Sequence, residues 1–120
     1  MAKLTLSDIQ QGSLVNKIHD VTVEFVTLDD EPVTLDLYLK QLPFVETEEL
    51  HKRLAKEDKK VVAEWIAKSV VDADGKPAFT QRQVEDNFIQ SLANAVFDKI
   101  MGLDKVKKQL AQMDKNKKAQ

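Results

Sequence analysis

At 120 residues, with 42% hydrophobic and 32% charged side chains, the chain has the size and composition of one globular domain with a single core. It contains no cysteine, which excludes a disulfide framework, a thiolate zinc site and a cysteine nucleophile, and which suits a reducing compartment. The net charge of −2 is unevenly placed: residues 104–120 hold six lysines against Asp104 and Asp114, a net of +4, so residues 1–103 sum to −6 and lack the concentrated positive face that nucleic acid requires.

The first residues, MAKLTLSDIQQG, carry no basic region followed by a long apolar run, so no signal peptide is expected there. No stretch approaches the roughly 18 consecutive apolar residues of a membrane helix, and the simplest compartment is the cytosol. Within this segment residues 4–12 allow one short helical turn, with Thr5 or Ser7 as its cap and Gly12 as its stop.

Residues 20–42 carry a strand signal. Val21, Val23 and Phe25 share one parity against Thr22 and Glu24, and Val33, Leu35, Leu37 and Leu39 alternate with Thr34, Asp36, Tyr38 and Lys40. Period two places each apolar set on one face. Between the runs, Asp29 and Asp30 favour a turn and Pro32 marks the return, so a β-hairpin is predicted. A lone hairpin is marginal in water, and this one must cover helices or a partner.

From Thr47 the pattern turns helical, with Leu50, Leu54, Val61 and Trp65 in a narrow arc that Val62, Ile66 and Val70 widen. The polar run 56–60 interrupts it. One helix over 48–71 and two helices joined by a bend both fit; two are favoured, with Asp58 as a cap for the second. Residues 72–77 (DADGKP) predict a turn with Gly75 free to take positive φ. Thr80 and Gln83 then form a capping box, with Phe79 and Val84 placed as a hydrophobic staple, and open a helix running to about Met101 and stopping at Gly102. A last short helix over 103–113, with Leu103, Val106 and Leu110 on one side, precedes a disordered basic tail at 114–120, so residues 1–113 are expected to form one domain. The expected fold class is α+β, an N-terminal hairpin followed by three to four helices, with an all-α chain as the alternative.

No constellation for chemistry emerges. An EF-hand with Gly75 in sixth place would begin at Val70 and end at Gln81, where carboxylates are needed. His19 and His51 have no organised ligand partners, and His51 beside Lys52 and Arg53 reads as a surface histidine. The serines lack a nucleophile elbow, and three glycines in the whole chain do not make a phosphate loop. No catalytic, cofactor or metal residue is therefore expected.

Helix 81–101 carries the informative excess. At 100° per residue its apolar side chains span roughly 220°, about twice what a surface helix needs. Either it is the central helix of the domain, or its second flank (Ile89, Ala93, Phe97 and Met101) meets another subunit or partner. The exposed edges of the hairpin offer a second contact surface.

The segment VVAEWIAKSVVDADGKPAFTQRQVEDNFIQSLANAVFDKIMG (61–102), preceded by VTVEFV and VTLDLYLKQLPF, resembles the tail assembly chaperones of long-tailed phages, with the DADGKPAFT join as its most distinctive part. The resemblance implies a non-enzymatic protein of the host cytoplasm, absent from the mature virion. It would bind the tape measure protein, promote assembly of the tail tube protein and self-associate. Many such proteins are made in two lengths by ribosomal frameshifting, and this chain would match the short form. The family has no catalytic residues to carry over. The alternative function is a small cytosolic adaptor or regulatory module; a nucleic-acid binder acting through its basic tail is weaker still.

Overall fold

The computed structural model describes residues 3–103. Helix α1 (Leu6–Gln10) opens the chain and is followed by strands β1 (Ile18–Val26) and β2 (Pro32–Lys40). The two strands pair antiparallel with Val21 opposite Leu37, Val23 opposite Leu35 and Phe25 opposite Val33. This register joins the two apolar sets into one face, as their shared parity requires. The turn at their tip is a three-residue loop in which Asp30 takes φ 60° and Thr27 N–H donates to the Glu31 carbonyl at 3.0 Å. On the outer face the Thr22 hydroxyl donates to Asp36 at 2.6 Å.

Two helices follow, α2 (Phe44–Ala55) and α3 (Val61–Ser69), so the bend read from residues 56–60 is present. Helix α2 begins at Phe44, earlier than the pattern from Thr47 indicated, because Pro43 supplies its extended N-cap. Its C-terminus is a Schellman motif: Asp58 N–H donates to the Arg53 carbonyl and Glu57 N–H to the Leu54 carbonyl, both at 3.1 Å. Glu57, at φ 60°, occupies the left-handed position where glycine is preferred. Replacing Glu57 with glycine is therefore expected to raise the unfolding free energy by about 1 kcal/mol, read from a urea titration. Asp58 is not the N-cap of α3; that position is Lys60, whose N–H donates to the Asp58 carboxylate at 3.0 Å in a local turn just before the helix.

Arg53 locks this corner, donating from Nε to Asp58 at 2.9 Å and from Nη1 to Glu64 at 2.7 Å. The guanidinium bond to Glu64, and for Asp58 first the Lys60 N–H and then Arg53, hold both carboxyls below their ordinary range. A lowered folded-state pKa contributes stability above the unfolded value and loses it as pH falls. Stability is thus expected to be flat above about pH 5 and to decline below it, and Arg53→Met should flatten that acid limb. Urea midpoints across pH 3–7 for both proteins check this; an unchanged acid limb in the variant would rule out the ion pairs as its cause.

Strand β3 (Val70–Val71) continues directly from α3 and pairs antiparallel with β2, Tyr38 opposite Val71 and Leu39 opposite Val70, giving a three-stranded sheet in the order β1-β2-β3. Period-based reading assigned these valines to the end of a helix; two residues are too few to show alternation, and pairing with β2 decides their state. In the following turn the Asp72 carboxylate accepts from the N–H groups of Asp74 and Lys76 at 2.9 and 3.0 Å. Gly75 takes φ 86°, where any other residue would be strained, and a Cβ there would stand 3.3 Å from Ile18 Cδ1 and have to push it aside slightly.

The capping box of Thr80 and Gln83 is formed and opens α4. The helix does not run to Met101. It is divided into α4 (Gln81–Asn87) and α5 (Gln90–Leu103), with Phe88 extended at ψ 139°. Gly102 lies within α5 rather than stopping it. No proline, glycine or capping side chain stands at residues 88 and 89 to announce the break. The causes are tertiary: Phe88 sets its ring edge-on to Phe79 at 5.2 Å, and Ser91 Oγ donates to the Val26 carbonyl at 2.6 Å, anchoring the start of α5 at the end of β1. The expected helix over 103–113 and the tail at 114–120 lie outside the described residues.

The helices α3 and α5 cover the apolar face of the sheet, and α2 packs on α3. Trp65, at 0% exposure, sits at the centre of a core with Val23, Leu39, Leu50, Ile66 and Val96. Helix α5 lies along β1 and α4 against α3. The α+β class, with four helices of seven residues or more and the short α1, is the fold that the alternation at 20–42 and the helical arcs after it imply.

Candidate partner-binding groove

Helix α3 reads VVAEWIAKS, with apolar residues on more of its circumference than one interface consumes. Trp65 and Ile66 are buried, and the remaining flank, Val62 and Ala63, is left half-exposed. The α4–α5 break turns Phe88 and Ile89 toward that flank, and α5 continues it with Ala93 and Phe97. Together these side chains line a groove of about 400 Å³ between α3 and the start of α5. Lys59, Glu85, Gln90 and Asn94 stand on its lining as the polar members. Phe97 is held from behind, its ring edge-on to Trp65 at 5.2 Å, and Trp65 in turn meets the His51 ring at 4.8 Å. His51 is thus half-buried against the core, not the plain surface residue its charged neighbours suggested.

Of the four residues expected on the contact flank, Ile89, Ala93 and Phe97 come together in this groove. Met101 lies further along α5, outside it, and packs partly against the core. All four are neither fully buried nor fully exposed. Sequence reasoning missed the opposite wall, Val62 and Ala63, because it treated the α3 arc as core alone; the three consecutive apolar residues 61–63 were the available signal.

A second apolar groove, of about 440 Å³, opens where residues 14–15 pass the end of β2 and the first turn of α2. Leu14, Leu42 and Phe44 line it, and beside it Phe44 is 76% and Val45 72% exposed. Leu28, at the hairpin tip, is 91% exposed. Thr27 N–H to Glu31 and Gln41 N–H to Lys17 show that the odd residues of β1 bond to β2, so its even residues turn their backbone groups to the outer edge. At the Val26 end that edge is closed by Ser91.

The groove at the start of α2 is lined mainly by apolar side chains, whereas the α3–α5 groove is lined by polar and apolar groups in equal measure, its apolar wall flanked by Lys59, Glu85, Gln90 and Asn94. Among the described residues no group of three or more His, Asp or Glu could hold a metal ion, and no helix is long and apolar enough to cross a membrane.

The described residues form a small α+β protein with one groove between α3 and α5 and another at the start of α2. The chain belongs to the phage tail assembly chaperone family, whose model matches residues 7–104. No curated protein and no solved structure gave a match to it.

Proposed function

We propose that the chain binds the tape measure protein and promotes assembly of tail tube protein around it, acting in the host cytoplasm by contact alone and leaving before the virion matures. The observation that carries the reading is the groove between α3 and α5, where Ile89, Ala93 and Phe97 stand with Val62 and Ala63 in a cleft that is half apolar and half polar. A long helical polypeptide has apolar positions every three to four residues, and such a cleft accepts them as anchors while the solvated rim keeps the complex in solution. Holding an aggregation-prone chain requires no reaction, and catalysis forms no part of the proposal. Self-association belongs to the same reading, since exposed Leu28, Phe44 and Val45 and the outer edge of β1 give copies of the chain further surface to share.

Co-expression of the chain with the tape measure protein of the same phage, followed by size exclusion with light scattering, tests it. A soluble complex is the expected result. A tape measure protein that precipitates equally with and without the chain would remove the reading.

A further inference from the structure

Three side-chain polar atoms are buried with no hydrogen-bond partner among the described residues: Ser13 Oγ, Trp65 Nε1 and Ser69 Oγ. An unpaired buried group costs on the order of 1–3 kcal/mol, so two of them on one helix call for a partner. Trp65 is 0% and Ser69 1% exposed. They stand four residues apart on α3 and therefore share one of its faces. Both also line one small cavity, of about 10 Å³, which Lys40 lines from β2, Thr47 from α2 and Ile100 from α5.

The backbone brings a third group to the same place. Odd residues of β1 and β2 bond to each other, so the even residues of β2 turn their backbone toward β3. Tyr38 meets Val71 there, and the same register puts Lys40 opposite Ser69. At that rung the neighbour is no longer a strand. Val70 N–H still donates to the Ile66 carbonyl, so the helical pattern runs through Ser69 and takes up its N–H as well. The Lys40 carbonyl thus has no strand N–H opposite it where α3 turns into β3.

The size of the cavity and the chemistry of these groups select the ligand. About 10 Å³ is the space that one water needs, and a buried water makes about three hydrogen bonds to groups otherwise unpaired. An indole N–H only donates, a carbonyl only accepts, and a serine hydroxyl does either. The N–H disfavours a cation and the carbonyl an anion, whereas a water satisfies all three.

We propose that this cavity is a binding site for one water molecule, which accepts from Trp65 Nε1 and donates to the Lys40 carbonyl, with Ser69 Oγ as its third partner. The water takes the place of the next rung of the β2–β3 ladder and ties the end of α3 to the sheet. The site is independent of what either groove binds.

Trp65 is the only tryptophan, so its indole N–H gives one signal in the ¹⁵N spectrum of the full chain. The expected result is cross-relaxation from water to that proton with laboratory-frame and rotating-frame NOEs of opposite sign, the mark of a water that tumbles with the protein. Ser69→Ala should keep the effect, because the indole and the carbonyl still hold the water. Ser69→Val should abolish it, one methyl taking the place of the hydroxyl and the other the volume of the water. If the valine variant does not fold, wild type and Ser69→Ala still decide the matter. Three results would overturn the proposal: no water effect at the wild-type indole, or one with the sign of freely exchanging solvent; loss of the effect in Ser69→Ala, which traces it to the serine hydroxyl proton; or full retention in a folded Ser69→Val, which puts the water elsewhere.

Discussion

Trp65→Ala is expected to lower the unfolding free energy by about 3–5 kcal/mol, the largest single-residue effect on stability in the molecule. Trp65 has 0% exposure and meets His51 of α2 on one side and Phe97 of α5 on the other. It is the side chain through which three helices touch, and its removal leaves a cavity that no neighbour can fill without moving a helix. Domains of this size are stable by only about 5–15 kcal/mol, so the variant should be at the edge of folding at physiological temperature. Trp65→Phe should cost less, about 1–2 kcal/mol. It keeps a ring between His51 and Phe97 and also removes the indole N–H, which is buried with no hydrogen-bond partner among the described residues. Urea unfolding followed by circular dichroism orders the three proteins. A loss below about 1 kcal/mol for alanine would mean that the core is organised elsewhere.

Ile89→Asp is expected to weaken binding of the tape measure protein by roughly 30-fold or more with helicity unchanged, the signature of a hot spot at the centre of an apolar contact. Ile89 is suited to the experiment because its backbone is already non-helical and its side chain lines the groove without belonging to the core cluster. Phe97→Asp should abolish binding too, but for a mixed reason, since it also places a carboxylate against Trp65. The pair separates two causes. If Phe97→Asp alone abolishes binding and does so only in proportion to lost stability, the groove is not the contact surface. Titration calorimetry beside thermal unfolding gives both quantities.

The distribution of apolar surface also revises where contacts with other chains should be sought. The sequence placed the excess on one continuous helix over 81–101. In the structure that helix breaks, and much of its second flank is used internally: Ala93, Phe97 and Met101 pack partly on the core. A larger share of uncovered hydrocarbon is at Leu6 in the short α1, at Leu28 in the hairpin turn, and at Phe44 and Val45 in the first turn of α2, ahead of the residues whose helical period the sequence shows.

What the residues determined by themselves was local and periodic. Alternation at 21–25 and 33–39 defined the hairpin and its inward face, because a register of one parity puts all seven apolar side chains on one face, although Leu35 near the hairpin tip stays exposed. Thr80 and Gln83 located the start of α4, and Gly75 the sharp turn, because caps and left-handed turns are satisfied within four residues. Tertiary structure alone decided three things: the extended state of Phe88, the strand state of Val70 and Val71, and the partial burial of His51. Each depends on a partner distant in sequence, namely Phe79 and the Val26–Ser91 bond, strand β2, and Trp65. The candidate groove divides in the same way. Its α5 wall was legible as an oversized apolar arc, but the wall from α3 and the angle between them exist only once β1 has fixed where α5 begins.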